Sequence, residues 1–378
     1  MSGTGLGEIV DGSRVVVCCG SGGVGKTTTA AVVAMEAARR GRRSVVVTID
    51  PARRLANALG LEGLSDTAST ISGDWSGEMH ALMLDTKSTF DGLVRRYAAD
   101  EDQAREILSN TFYENISGSL SGTQEYMASE KLYELAVEGD YDLVVVDTPP
   151  TRNALDFIDA PQRLAKFLDH RIYKVLVSPS RGPIRAVNLA AAAVTRSLAK
   201  VVGADVIGDA ISFFQAFEGM EEGFARRAER VDSLLREADT SFILVASPKA
   251  DTVAEAGFFA DRLGELGIDV RGLVVNRMQP SFEFSTDRPE LAGTAVRARA
   301  ATLAGTDLGD LYTCLADARQ LAAAEEVHLS GLAERVAPAP VVRVPIQPVE
   351  VTDLSALGRL ADLLFAPAAD VGAGPTPR

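Results

Sequence analysis

"GSGGVGKTTT", residues 20–29, is the stretch on which the fold turns. From Gly20 to Thr27 it satisfies G-x-x-x-x-G-K-[ST], a pattern that means something physically only between a strand and a helix. Both flanks are present. Upstream, "RVVVCC" at 14–19 is a β-branched run, and downstream "KTTTAAVVAMEAARRG" is Ala-rich and ends in Arg39, Arg40 and Gly41. That ending reads as a helix with a basic last turn and a glycine stop. Gly22, Gly23 and Gly25 let the backbone approach a phosphate closely. The amides of Gly22, Gly23, Val24, Gly25, Lys26, Thr27 and Thr28, with the helix N-terminus, would then face negative charge. Lys26 is placed to reach the β- and γ-phosphates of a nucleotide, and the Thr27 hydroxyl to ligate Mg²⁺.

Outward from this loop, similar runs recur at intervals that leave room for helices. They are "SVVVTID" at 44–50, "YDLVVVD" at 141–147, "IYKVLV" at 172–177, "SFILVA" at 241–246, "VRGLVVN" at 270–276 and "PVVRVP" at 340–345. Runs this uniformly apolar suit strands buried on both faces. The expected fold is α/β: a P-loop NTPase-type, mostly parallel sheet flanked by helices. Two long stretches without strand character, 87–138 and 182–237, read as one α-helical subdomain inserted into it. The ATPase domain then spans 1–365, with its core in 14–86, 139–181 and 238–365, and the Pro-, Gly- and Ala-rich residues 366–378 read as a disordered tail.

A phosphate loop needs an acid on a neighbouring strand to hold its metal. "LVVVDTPPT" supplies Asp147 at a strand end, followed by Pro149 and Pro150, which make a rigid turn. Asp50, in "TIDPARRL", also ends a strand and so falls where parallel strands converge on a ligand crevice. Its carboxylate would orient an attacking water. An Asp before Pro is equally a good helix N-cap, so the residue carries both readings.

The formal net charge of −14 opposes nonspecific attraction to nucleic acid or anionic lipid. No window approaches the ~18 consecutive apolar residues of a membrane span, and the N-terminus lacks the pattern of a secretory signal. Cys18, Cys19 and Cys314 form neither a disulfide framework nor a zinc spacing. A cytoplasmic location is expected, with any membrane association indirect and no nucleic-acid partner.

"GSGGVGKTTT", "TIDPARRL", "DTPPTRNALDFI" and "LVVNRM", in that order, resemble the arsenite-pump ATPase family, which includes the eukaryotic ATPase that delivers tail-anchored membrane proteins. The resemblance runs from residue 14 to about 360. It implies a deviant Walker A ATPase using ATP and Mg²⁺, with Asp50 orienting water, Lys26 on the phosphates, and Thr27 and Asp147 at the metal. It further implies adenine recognition by Asn276 and by Pro345 and Ile346 in "VPIQPVEV".

Ser21 departs from the family pattern, in which a lysine at that position reaches across a dimer to the partner's nucleotide. A cation of that kind can be worth ~10³ or more in rate. Three readings follow: a lysine-bearing homologue completes the site in a heterodimer, which we favour over a homodimer; Arg53, Arg54 or Arg152 substitutes; or hydrolysis is slow. Cys18 and Cys19 fall on opposite faces of one strand, so an arsenite site is not expected. The C-x-x-C of a zinc-linked dimer is missing. Phe213, Phe217, Met220 and Phe224 lie at i, i+4, i+7 and i+11, one helix face that is either packed core or a cradle for a hydrophobic client. A positioning switch of the MinD or ParA kind is the alternative, though the C-terminal "LSALGRLADLLFAPAAD" is amphipathic without being basic.

Overall fold

In the computed structural model, which describes residues 5–50, 54–116, 123–149, 151–169, 204–282, 291 and 293–366, the apolar runs assemble into one sheet. Its strands are β1 (Val15–Gly20), β2 (Arg43–Thr48), β3 (Ser69–Ile71), β4 (Glu78–Met83), β5 (Leu143–Asp147), β6 (Thr240–Ala246), β7 (Val270–Met278) and β8 (Val341–Pro345). They lie in the order β3-β4-β2-β5-β1-β6-β7-β8. All neighbours are parallel except β3 and β4. The P-loop NTPase-type α/β expectation therefore holds. β3 and β4 are not among the expected runs: "EMHALM" has no β-branched residue to mark β4, and β3 is only three residues long. The expected strand at 172–177 lies outside the described residues.

β1 sits in the middle because it is apolar on both faces. Val15, Val17 and Cys19 enter one core layer, and Val16 and Cys18 the other. Helices α1 (Leu6–Gly12), α2 (Lys26–Arg39) and α3 (Arg54–Ala58) cover the second layer. The first layer is covered by α7 (Thr123–Tyr133), α8 (Thr151–Asp169), α10 (Glu221–Leu235), α11 (Ala250–Glu265) and α13 (Asp307–Arg335), the last packed against α12 (Gly293–Thr302). Each buried Val or Leu contributes about 1.5–3 kcal/mol, so this double coverage holds the central strands rigid beneath the loop. The C-terminal helix α14 (Leu354–Leu364) buries Leu357, Leu360, Ala361 and Leu364 in the second layer. Arg39 on α2 bonds Asp362 at 2.8 Å alongside. The amphipathic face noted in the sequence is thus packed against the protein, where a membrane-binding switch would leave it free.

A third apolar cluster stands apart from the sheet. It joins α4 (Thr86–Tyr97), α5 (Glu101–Leu108), α6 (Thr111–Ile116), α7, α8, α9 (Ala204–Ala216) and α10. Asp85 and Asp100 start α4 and α5 by accepting the amides of Ser88 and Gln103. Phe213, Phe217, Met220 and Phe224 are all buried here, with ring centroids 5.4 Å apart for Phe213 and Phe217 and 5.0 Å for Phe217 and Phe224. They are packed core, so this face is not a free cradle. Nor do they share one helix: Gly219 adopts φ +91° after α9, and Met220 precedes α10. A left-handed glycine ends a helix more cheaply than any other residue, and it overrides the apolar period. The Ala-rich residues 186–202 and the tail from 367 lie outside the described residues.

Candidate nucleotide-binding site

Gly20 leaves β1 at φ +149°, where a Cβ would stand 2.0 Å from the Val245 carbonyl oxygen on β6. Only glycine lets the chain turn that close to the neighbouring strand. Gly25, at φ +101°, caps α2, and a Cβ there would meet Asn276 Nδ2 at 2.2 Å. Between them Gly22 and Gly23 are exposed and Val24 is buried, while Thr28 is half-buried on the first turn of α2. Lys26 is buried, and its Nζ donates to the Ser21 carbonyl at 2.9 Å. Burial lowers its pKa, with the Asp147 charge pulling the other way.

The acids stand on the β5 and β2 side of the loop. Asp147 Oδ2 accepts hydrogen bonds from Thr27 Oγ1 at 2.7 Å and from Thr48 Oγ1 at 2.9 Å. Its Oδ1 is buried without a hydrogen-bond partner among the described residues. Burial pushes the Asp147 carboxyl up to about 6, against the two hydroxyl bonds and Lys26, which favour the charged form. A buried carboxylate oxygen left unmatched beside a threonine hydroxyl and a lysine is costly to fold, and it is the kind of group a hard cation satisfies. Asp50 lies just beyond β2. Its amide donates to Thr48 Oγ1 at 3.2 Å, and its carboxylate stands 3.5 Å from the Arg54 guanidinium. One residue earlier, the Ile49 carbonyl accepts from Gln124 Nε2 on α7 at 3.2 Å.

On the other side of the loop, Asn276 Nδ2 donates to the Val24 carbonyl at 2.9 Å, and Asn276 Oδ1 accepts the Arg277 amide at 2.9 Å. Pro345 pairs with Met278, and the Ile346 amide donates to the Met278 carbonyl at 2.8 Å. Lys26, Thr27, Asp147 and Asn276 therefore gather directly on the loop. Asp50 joins through Thr48, and Pro345 and Ile346 stand one strand further out. Thr48 and Gln124 were missed by sequence reasoning. Thr48 had a weak signal, two residues before Asp50 in "TID", and Gln124 had none.

Ser21 is 3 % exposed, and its hydroxyl is buried with no hydrogen-bond partner among the described residues. Of the local cations considered for its compensation, Arg54 pairs with Asp50, while Arg53 and the side chain of Arg152 lie outside the described residues. Cys18 and Cys19 are both buried, and burial pushes both thiols up. A thiol so held is poor in the thiolate that metalloid binding requires.

The fold and its glycine loop place the chain among proteins of the P-loop NTPase α/β class. A sequence profile of the anion-transporting ATPase family matches residues 13–290, and the chain belongs to that family. The ATPase GET3 of Malassezia globosa is 23% identical over 264 residues, 70% of this chain and 72% of that protein. A protein of Aquifex aeolicus named as an arsenical pump-driving ATPase is 21% identical over 366 residues, 93% of this chain and 78% of its own length. An uncharacterized protein of Streptomyces coelicolor is 29% identical over 279 residues, 71% of this chain and 63% of its own. Among the described residues no helix is long and apolar enough to cross a membrane.

Proposed function

We propose that this chain is a Mg²⁺-dependent ATP hydrolase whose nucleotide state sets the shape it presents to a partner. The observation that carries the reading is the Asp147 carboxylate, held by Thr27 and Thr48 with one oxygen buried and unmatched among the described residues, at the mouth of a complete phosphate loop. In this reading the Gly22–Thr28 amides and Lys26 hold the phosphates, and Lys26 exchanges the Ser21 carbonyl for them. Thr27 and Asp147 would hold Mg²⁺, which supplies charge neutralisation on the phosphoryl oxygens when bound. Asp50 orients the attacking water, and Asn276, Pro345 and Ile346 line the base pocket. The Gln124 bond to Ile49 ties the segment carrying Asp50 to α7, and so to the third cluster. A change at Asp50 therefore has a path to the helices, which we take to be one inserted subdomain and the output surface.

The working unit in this proposal is a dimer, with a lysine-bearing homologue as the favoured partner. A buried, uncharged Ser21 cannot supply a cation to another subunit, so this chain would receive one and give none in return. A hydrophobic protein client would bind elsewhere than the Phe213–Phe224 face. The location is cytoplasmic, in keeping with three free cysteines, and no nucleic acid is bound.

Titration calorimetry with MgATP and MgADP, followed by turnover measurements with and without a lysine-bearing homologue, tests this. Binding to wild type and its loss in Lys26→Ala are expected, with turnover rising on mixing. Absence of binding by well-folded protein, alone and mixed, removes the proposal.

A further inference from the structure

We propose that Arg277 is a base clamp, its guanidinium lying against one face of the nucleotide's purine with Ile346 on the other. This rests on the nucleotide reading above and adds to it a residue that determines affinity through the base rather than the phosphates.

The sheet order sets the direction of the ligand. Asp147 and Asp50 lie on β5 and just beyond β2, to one side of β1, whereas Asn276 and Arg277 lie on β7, two strands to the other side. At the usual strand spacing that is about 10 Å from β1. A triphosphate seated on the loop with its terminal end at the acids must run its nucleoside toward β7 and β8.

At that point β7 is irregular. Val275 pairs with Arg343 and Met278 with Pro345, so β7 uses one residue more than β8 over the same length. The extra residue is a bulge across Asn276 and Arg277, and Arg277 takes φ +63°, a conformation uncommon outside glycine. Asn276 holds it there, accepting the Arg277 amide on Oδ1 while Nδ2 grips the Val24 carbonyl of the phosphate loop. The bulge is therefore tied to the loop by a single side chain, and strain maintained in that way collects at ligand sites.

The Arg277 side chain is exposed and has no ion-pair or hydrogen-bond partner among the described residues. Nearby cations are otherwise engaged. Arg343 forks onto Glu326 at 2.7 and 2.9 Å, and Arg319 donates to the Leu291 and Phe282 carbonyls at 2.6 Å each. Ile346, bonded through its amide to Met278, is 49 % exposed and supplies an apolar surface just beyond the adjoining strand β8. A planar guanidinium and an aliphatic side chain at the ends of adjoining strands, next to the asparagine that grips the phosphate loop, are the residue types that suit a flat aromatic ring.

Two probes separate this from a phosphate contact. Wild type, Arg277→Ala and Arg277→Lys are titrated with MgADP and with magnesium tripolyphosphate, which has no base, and thermal melting confirms folding of these surface variants. Arg277→Ala is expected to weaken MgADP by about 2- to 30-fold and leave tripolyphosphate unchanged, with Arg277→Lys in between. An equal loss for both probes makes Arg277 a phosphate ligand and overturns the clamp, as does no loss for either. Wild type that ignores both probes removes the nucleotide reading, and the clamp with it.

Discussion

The mouth of β1 and the helical cluster both bury charge, and they treat it in opposite ways. In the cluster, Arg227 on α10 and Glu130 on α7 are each 3 % exposed in their side chains. Arg227 Nε donates to Glu130 at 2.7 Å and Nη1 to Glu138 at 2.6 Å, and Arg96 forks onto Glu138 with two bonds of 2.8 Å. The Tyr133 ring lies 4.0 Å from the guanidinium carbon. At the mouth, Asp147 Oδ1 and Ser21 Oγ are buried with no hydrogen-bond partner among the described residues. The charges of the cluster are paired as folded, although the Tyr126 hydroxyl beside them is also buried without a hydrogen-bond partner among the described residues, whereas the mouth leaves a carboxylate oxygen short of the partner a ligand would bring. Groups whose satisfaction is deferred give up stability for binding, which is how sites differ from scaffolds.

That contrast breaks first, and hardest, at Arg227. Arg227→Met strands the Glu130 carboxylate in the interior, and urea unfolding is expected to show a loss of about 3–5 kcal/mol. Replacing Glu130 with Met in the same chain should recover most of it. A small loss in the single variant would mean that the pair is not a structural lock.

Asp147→Asn should do the reverse. Its melting temperature is expected to be no lower than wild type, because a buried charge is removed, while ATP turnover falls on the order of 10²-fold. A clear drop in melting temperature would make Asp147 a scaffold residue like those of the cluster.

The smallest effect is the acid limb of the cluster. Arg96 foremost, with Arg227, holds the Glu138 carboxyl down at about 2, against an ordinary 4.5. A carboxylate held below its unfolded value contributes stability that is whole above that value and is lost as pH falls through the folded one. The stability gap between wild type and Glu138→Gln should therefore be constant near neutral pH and close between about pH 4.5 and 2. A gap that is flat through that window would show that the two arginines do not hold Glu138 in solution.

Much of this molecule is written in short segments. Val15–Cys19, Val45–Val47 and Val144–Val146 announce buried strands by β-branching alone, and Gly20–Thr27 announces the loop because its backbone turns tolerate little but glycine. Asp147 was legible because it ends such a strand. These features depend on sterics and hydrogen bonds within a few residues, which no distant part of the chain can alter. By contrast, β4 was hidden because its residues favour a strand only once β2 lies beside them. The helix drawn through Phe213–Phe224 failed at Gly219, where a local turn outweighs an apolar period. Thr48 on Asp147, Gln124 on Ile49, and Asn276 gripping Val24 while fixing Arg277 join positions from 75 to 252 apart along the chain. Such pairings follow from strand order and helix packing, which are set by the burial of the whole chain at once, and no window of the sequence contains them.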